Sequence, residues 1–100
     1  MKNIAVICED INCAKKLQEE ANKFGYEVIY EIQTSDAIEN EINEQDIKSS
    51  ECILFSLNKT IEDIINIERF IDIEYYEVEP EIVINNTNQV IREIIEDLNN

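Results

Sequence analysis

The sequence predicts a single α/β domain with a four-stranded, open parallel sheet and helices on both faces, a doubly wound, Rossmann-like arrangement. Strand-like segments alternate with segments of helical periodicity, in the order β-α-β-α-β-α-β-α with short connections. The first strand-like segment is continuously apolar, as expected for a strand that is covered on both faces. The length of 100 residues suits one hydrophobic core, so we expect residues 1–100 to form one domain.

The first strand is predicted at residues 3–8 (NIAVIC), an apolar run of strand length. From Asn12 the apolar residues recur at three- and four-residue steps, which predicts an amphipathic helix. The residues of this stripe are Ala14, Leu17, Ala21 and Phe24. Gly25 follows at the place of a left-handed helix cap, so the helix is expected to end there.

The middle of the chain predicts two strands separated by a polar segment and a short helix. Residues 26–32 (YEVIYEI) are rich in β-branched and aromatic residues, which favours the second strand. Residues 33–41 (QTSDAIENE) are polar and predict a loop. Asn43 is suited to cap a short helix with an acidic first turn. Residues 52–55 (CILF) predict the third, buried strand.

The last part of the chain predicts two helices and the fourth strand. Apolar spacing indicates one helical stretch from near Thr60 to Phe70. Residues 74–78 predict the fourth strand, which Pro80 ends. The final helix is expected to begin at about Thr87. Its buried stripe consists of Val90, Ile91, Ile94, Ile95 and Leu98.

The negative charge of the chain excludes some kinds of binding partner. With 23 acidic and 8 basic residues, the formal net charge is −15, although 44% of the residues are hydrophobic, as in a folded protein. Nucleic acid and anionic membrane surfaces would repel such a chain, so neither is expected as a partner. The apolar run at residues 3–8 is too short for a signal peptide or a membrane span. We therefore expect a cytoplasmic protein without direct membrane insertion.

The residue types limit the chemistry of any site. Cys8, Cys13 and Cys52 form no C-x-x-C pair and the chain has no histidine, so neither a metal site nor a cofactor is expected. Ser-His and Cys-His nucleophilic catalysis are excluded within this chain because the usual base is missing. The single glycine excludes a Gly-rich phosphate loop. The acidic residues of segment 39–46 lack the spacing of a calcium loop and predict a solvated face.

Cys8 ends the first predicted strand just before a helix, at the edge of the sheet where ligands bind in open α/β folds. A helix N-terminus stabilises a thiolate, so Cys8 is a candidate nucleophile and is expected to be accessible to solvent. The alternative is a small buried apolar residue, because Glu9 and Asp10 would disfavour a thiolate and repel a phosphoryl group. For Cys13 we favour packing at the edge of the apolar stripe, and Cys52 is predicted to lie in the core.

Residues 38–56 (IENEINEQDIKSSECILFS) resemble the middle of the fructose-specific enzyme IIB domains of the bacterial phosphoenolpyruvate-dependent sugar phosphotransferase system. Residues 26–41 (YEVIYEIQTSDAIENE) resemble the family's extended segment, which ends in Glu-Thr-Gln-Gly, and residues 67–70 (IERF) also match. Residues 14–25 (AKKLQEEANKFG) match the family's first helix and its terminal glycine. The resemblance covers nearly the whole chain and implies a four-stranded parallel sheet flanked by helices.

Members of this family accept a phosphoryl group on a cysteine from the phosphohistidine of a IIA protein and pass it to sugar entering through the membrane component IIC. The resemblance therefore implies a IIA phosphodonor and a IIC partner. It gives Cys8 the place of that cysteine and the residues after it the place of the phosphoryl loop. These loop residues are Glu9, Asp10, Ile11, Asn12 and Cys13. Gln33 retains the glutamine of the extended segment and is a candidate neighbour of the site.

The loop after Cys8 departs from the family pattern Cys-Pro-Thr-Gly-Ile-Ala-His-Thr, since it is shorter and keeps no Pro, Thr, Gly or His. Glu9 and Asp10 only accept hydrogen bonds, whereas a phosphocysteine needs converging donors. One interpretation is a working phosphocarrier, a protein-phosphohistidine–sugar phosphotransferase. The other is a IIB-like domain that has lost transfer and serves as a binding or regulatory module. An unrelated doubly wound domain is a third alternative, because fold alone does not give function.

Overall fold

The computed structural model describes residues 2–100, apart from the side chain of Ile61. Its strands are β1 (Lys2–Cys8), β2 (Tyr26–Gln33), β3 (Ile38–Glu39), β4 (Cys52–Ser56) and β5 (Tyr75–Glu77). Within the described residues they form one sheet in the order β3-β2-β1-β4-β5. β1 pairs in parallel with β2 and β4, and β5 pairs in parallel with β4. Met1 of the predicted domain lies outside the described residues.

The predicted number of strands was wrong, because the described residues form five strands and β3 runs antiparallel to β2. β3 lies in the segment that was predicted to be a loop. The turn before it is closed by a hydrogen bond of 2.9 Å from the Thr34 N–H to the Ala37 carbonyl. Asn40 follows in the left-handed region with φ 59°, which ends the pairing. A strand of two residues has no periodicity, so the sequence pattern could not reveal it.

The helices of the described residues are α1 (Ile11–Lys23), α2 (Glu44–Lys48), α3 (Pro80–Asn85) and α4 (Thr87–Leu98). α1, α3 and α4 cover one face of the sheet, while α2 and a short 3₁₀ helix at Ile67–Phe70 cover the other, together with Ile64, which follows a first 3₁₀ helix at Ile61–Asp63. The prediction of helices on both faces is therefore confirmed. Over residues 2–100, the helices are too short or too polar to cross a membrane.

Two cores result from the alternation of side chains along the central strand. Ile4, Val6 and Cys8 of β1 face the core under α1 and α4, whereas Ala5 and Ile7 face the opposite core. Because both faces of β1 are covered, its sequence is a continuous apolar run. Because of this alternation, the side chain of Cys8, the last residue of β1, points into the core under α1 and α4.

The helix predicted from near Thr60 to Phe70 is instead two 3₁₀ helices separated by residues 64–66. Asn66 lies in the left-handed region with φ 56° and ψ 44°. The peptide groups of Ile65 are unavailable to a helix because the Gln33 side chain binds both of them. The Ile65 N–H donates to Gln33 Oε1 at 3.0 Å, and Gln33 Nε2 donates to the Ile65 carbonyl at 3.1 Å.

Pro80 is the first residue of α3, a helix that the sequence pattern did not predict. Proline is well suited to the first helical position because its missing N–H would have no partner there. α3 ends before Asn86, whose φ of −138° is not helical, and α4 then begins at Thr87 as predicted. Between α1 and β2, Gly25 has a φ of 81°, which confirms the predicted left-handed residue.

Candidate functional site

Cys8 is the last residue of β1, and only two residues separate it from the start of α1. Across the sheet, Cys8 is aligned with Ile32 at the end of β2 and with Ser56 at the end of β4. The carboxyl ends of three parallel strands therefore meet the N-terminus of α1 at this point. In open parallel sheets, this edge is where ligands bind.

The prediction that Cys8 is accessible to solvent was wrong, since its exposed fraction is 0%. Cys8 continues the row of inward-facing residues that includes Ile4 and Val6, and α1 covers that row. Its sulfur nevertheless lies beside the N-terminus of α1, where Sγ donates to the Asp10 carbonyl at 3.6 Å. Cys8 is thus sealed from solvent but remains at the predicted edge of the sheet.

The side chains of Cys8 and Cys13 lie in the same core beneath α1. Cys13 is the third residue of α1 and is 2% exposed, and it belongs to the core under that helix, so its predicted packing is confirmed. The neighbouring Cys13 thiol and burial raise the pKa of Cys8 far above its usual range. The neighbouring Cys8 thiol, helped by Ser56 and Lys16 and opposed by burial and Asp10, lowers the pKa of Cys13 to about 7.

Ser56 is a residue of this site that the sequence analysis did not single out. Its side chain is 0% exposed, and its Oγ has no hydrogen-bond partner among the described residues. Ser56 is aligned with Cys8 across the sheet, and its hydroxyl is one of the groups that lower the pKa of Cys13. One feature could have pointed to Ser56. It is a hydroxyl residue at the end of the apolar strand β4, and the neighbouring strand β1 ends in a cysteine.

The two carboxylates of the loop are both held by hydrogen bonds. Asp10 caps α1, since its Oδ1 accepts from the Asn12 N–H at 2.6 Å. Glu9 is tied to the segment after β4, because Oε2 accepts from the Asn58 N–H at 3.2 Å and Oε1 accepts from Asn58 Nδ2 at 3.1 Å. The chain's own carboxylates therefore use donors at the edge of the sheet that an incoming anion would need. Ile11 adds an exposed apolar side chain at the same place.

Gln33 is buried at the end of β2, but its side chain does not share the face of Cys8. Its neighbour Ile32 lies in the core with Cys8, so the pleat directs Gln33 to the opposite face. There its amide binds the peptide groups of Ile65 and donates to Glu31 Oε2 at 2.7 Å. Gln33 thus shapes the segment after β4 and makes no contact with the loop after Cys8 in these hydrogen bonds.

A buried ion pair between Glu31 and Arg69 extends this polar network, and the sequence analysis did not predict it. Arg69 Nη1 also donates to the Ile42 carbonyl at 2.6 Å, while the Ile42 N–H donates to Glu31 Oε1 at 2.9 Å. Burial disfavours the charge on Glu31, but hydrogen bonds from Arg69, Gln33 and Ile42 lower the pKa of this carboxyl below its usual range. The available signal was a charged residue within the strand-like segment YEVIYEI.

The geometry of the site supports thiol chemistry. Over residues 2–100, no three cysteine, aspartate or glutamate side chains converge as metal ligands. The groups that do converge are two buried thiols, a buried hydroxyl and the first turn of a helix. This arrangement can hold a thiolate at the carboxyl edge of the sheet.

Comparisons with known proteins agree with this arrangement of elements. No protein-family model matches the chain. The PTS system fructose-like EIIB component 1 of Escherichia coli strain K12 is 39% identical over 83 residues, which are 83% of this chain and 74% of that protein. Among solved structures, the enzyme IIB subunit of the PTS system from Escherichia coli K12 has a TM-score of 0.81 and 33% identity, covering 97% of this chain and 93% of that chain.

A domain from the fructose-specific IIABC component of the PTS system of Borrelia burgdorferi is also similar, with a TM-score of 0.78 and 30% identity. The match covers 92% of this chain and 91% of that domain. Identity and coverage at these levels confirm the resemblance that the sequence segments indicated. The chain therefore belongs to the fructose-like EIIB family of the phosphotransferase system.

Proposed function

We propose that this chain is a fructose-like enzyme IIB phosphocarrier that acts as one domain in the cytoplasm. Cys8 accepts a phosphoryl group from the phosphohistidine of a IIA partner, and sugar entering through a membrane IIC partner receives it. Family membership carries this proposal. The place of Cys8 at the end of the central strand, directly before α1, supports its role as the acceptor.

In the first transfer, the Cys8 sulfur attacks phosphorus and a sulfur–phosphorus bond forms. The bond from phosphorus to the donor's histidine nitrogen breaks, its electron pair stays on that nitrogen, and the nitrogen takes up the proton that the Cys8 thiol gives up. In the second transfer, a sugar hydroxyl attacks phosphorus and the sulfur–phosphorus bond breaks, so that its electron pair and the hydroxyl proton go to the Cys8 sulfur. Because Cys8 is sealed, loading requires residues 9–10 and the first turn of α1 to move outward.

The phosphorylated state would place about two negative charges at the N-terminus of α1. Backbone N–H groups of the first helical turn favour such an anion. The Asn12 N–H becomes available to the phosphoryl group only if the Asp10 side chain gives up its cap. The donors of Asn58 become available only if Glu9 leaves them. Outward movement of this loop would release both sets of donors at once.

The second candidate function is a binding or regulatory module that has lost phosphoryl transfer. The observation that favours it is the occupation of these donors by the carboxylates of Glu9 and Asp10. These two carboxylates bind the donors themselves, so the loop stays closed without a phosphoryl group. Such a domain would retain the fold that partners recognise while Cys8 stays sealed.

The deciding experiment is incubation with phosphorylated fructose-system IIA proteins, followed by intact-mass measurement of the chain. We expect a gain of one phosphoryl group in the wild type and in Cys52→Ser, which changes a thiol buried elsewhere in the sheet. The gain should be lost in Cys8→Ser, with far-ultraviolet circular dichroism showing that this variant is folded. If the wild type takes no label from several IIA donors, the carrier function is wrong and the binding module is favoured.

A further inference from the structure

Ser56 has a buried hydroxyl that makes no hydrogen bond while the loop after β1 is closed. Its side chain is 0% exposed, and Oγ has no partner among residues 2–100. A buried donor without a partner costs free energy, so its presence in a folded domain calls for an explanation. An acceptor that arrives only in another state of the protein would supply one.

The register of the sheet places this hydroxyl next to Cys8. β1 and β4 are parallel neighbours, and Ser56 is aligned with Cys8. Aligned side chains of neighbouring strands point to the same face, and the strands are about 4.8 Å apart. Cys52 and Leu54, the alternate residues of β4 before Ser56, belong to the same core as Cys8. The unpaired hydroxyl and the Cys8 sulfur therefore lie side by side at the carboxyl edge.

Other donors at this edge of the sheet are already used by the chain's own carboxylates. Asp10 accepts from the Asn12 N–H, and Glu9 accepts from the backbone N–H and the side-chain amide of Asn58. The hydroxyl of Ser56 differs from these donors because no carboxylate of the described residues uses it. An anion bound at this edge can take the Ser56 hydrogen bond without displacing an internal carboxylate.

The loading movement leaves Ser56 and Cys8 together. Both residues end paired strands of the sheet, whereas the parts that move outward are residues 9–10 and the first turn of α1. Cys13 belongs to that turn, so the influence of Ser56 on Cys13 ends when the turn moves away. The hydroxyl then remains beside the Cys8 sulfur and the group that this sulfur carries.

We propose that Ser56 is a phosphoryl-binding residue, whose hydroxyl donates a hydrogen bond to the phosphoryl group on Cys8; this inference rests on the proposed carrier function. As the sulfur–phosphorus bond forms and the nitrogen–phosphorus bond breaks, the electron pair stays on the donor's histidine nitrogen, which takes up the proton of the Cys8 thiol. Ser56 keeps its own proton throughout and shares it with a phosphoryl oxygen, so atoms and charges balance. Such a hydrogen bond to an anion is stronger than one between neutral groups.

The hydrogen bond is tested by the equilibrium of phosphoryl transfer between IIA and the chain, measured by intact mass. We expect Ser56→Ala to lower the equilibrium constant by about tenfold, the effect of losing one hydrogen bond to a charged group. Ser56→Thr keeps the hydroxyl and should retain the wild-type constant, with circular dichroism showing that it is folded. The matched control is Ser49→Ala, which removes an exposed hydroxyl before β4, at the opposite edge of the sheet. An equal loss in folded Ser56→Thr overturns the inference.

Phosphorus-31 NMR of the phosphorylated chain separates this hydrogen bond from a structural role of Ser56. A donor favours the doubly charged phosphoryl group, so Ser56→Ala should raise the second pKa of that group, whereas Ser49→Ala should leave it unchanged. The unphosphorylated chain should not be destabilised by Ser56→Ala, because the hydroxyl has no partner to lose there. A lower melting temperature in Ser56→Ala, with an unchanged phosphoryl pKa, assigns Ser56 a structural role and overturns the inference.

The outcomes for the transfer equilibrium also separate this inference from the carrier function. If Ser56→Ala and the wild type take up label with the same equilibrium constant, the inference is overturned and the carrier function stands. If the wild type takes no label from IIA proteins that phosphorylate their own IIB partners, the carrier function is wrong and the inference fails with it.

Discussion

The guanidinium group of Arg69 meets the carboxylate of Glu31 through two parallel hydrogen bonds inside the domain. Nη1 donates to Oε1 at 2.7 Å and Nη2 donates to Oε2 at 3.0 Å. Both residues are buried, and Arg69 Nε also donates to the Asn66 carbonyl at 3.0 Å. The pair therefore fastens the second 3₁₀ helix and the segment before it to the end of β2.

Breaking this ion pair should strongly destabilise the domain. We expect Arg69→Met to lower the free energy of unfolding by about 3 to 5 kcal/mol, because it leaves the Glu31 carboxylate buried without its partner. Urea denaturation measures the change. The control is Lys48→Met, which removes an exposed pair with Glu44 and should cost less than about 1 kcal/mol. Equal losses in the two variants would show that the buried pair contributes no more than a surface one.

The same pair should make stability depend on pH in the acid range. The pKa of Glu31 is lowered in the folded state, so its contribution is fully present above the unfolded pKa of about 4.3. It is then lost as the pH falls through the lower folded value. We expect the wild type to lose more of its unfolding free energy than Glu31→Gln over this acid range. If the difference in unfolding free energy between the wild type and Glu31→Gln stays constant with pH, Glu31 is not the group whose titration causes the acid dependence.

Local patterns predicted the elements that have many residues of one periodicity, and they missed the contacts that join distant segments. The helix from Thr87 and the turn at Gly25 follow from spacing within a few residues. The bonds between Gln33 and Ile65 join residues 32 positions apart, and no local pattern specifies that the helix around Ile65 must break. Tertiary contact overrides helix propensity here.

The candidate site was also predicted only in part: the position of Cys8 was predicted, but its burial and the role of Ser56 were not. The place of Cys8 at the end of the central strand follows from the apolar run and from the resemblance to the family. Its burial was not the favoured prediction, because a strand end just before a helix was expected to open to solvent, whereas α1 covers the end of β1. Ser56 was missed because its role depends on the alignment of β4 with β1.

The Gln33 side chain should control the local stability of the segment after β4. We expect Gln33→Leu to speed hydrogen exchange of the Ile65 amide by about tenfold, the effect of roughly one lost hydrogen bond. Hydrogen-exchange mass spectrometry or NMR measures the rate. Gln45→Leu, on the exposed side of α2, is the matched control and should leave this amide unchanged. An unchanged rate in Gln33→Leu would mean that other contacts hold this segment.

The Asp10 side chain should stabilise α1 as its cap. We expect Asp10→Ala to lower the free energy of unfolding by about 1 kcal/mol, because the Asn12 N–H loses its acceptor. Asp10→Asn keeps an oxygen acceptor and should cost little, so it separates the cap from the charge. Thermal denaturation followed by circular dichroism measures both. Equal destabilisation in the two variants would show that the charge matters more than the hydrogen bond.

The loop carboxylates should also slow the reactions of the buried thiols. We expect iodoacetamide to modify Cys8 and Cys13 faster in the double variant Glu9→Gln, Asp10→Asn, as mass spectrometry of peptides would show. Removing the Asp10 charge eliminates a group that disfavours thiolate on both sulfurs, and Glu9→Gln weakens the link to Asn58 that holds the loop closed.

Cys52 provides an internal reference for this experiment in the same chain. Burial, together with Glu74 and Glu51, raises the pKa of Cys52 to about 12, so it should stay unmodified at neutral pH in both proteins. Faster modification of Cys52 would reveal general loosening of the fold rather than an effect of the loop. If the rates at Cys8 and Cys13 do not change, the helix N-terminus, and not the carboxylates, sets the reactivity of the pair.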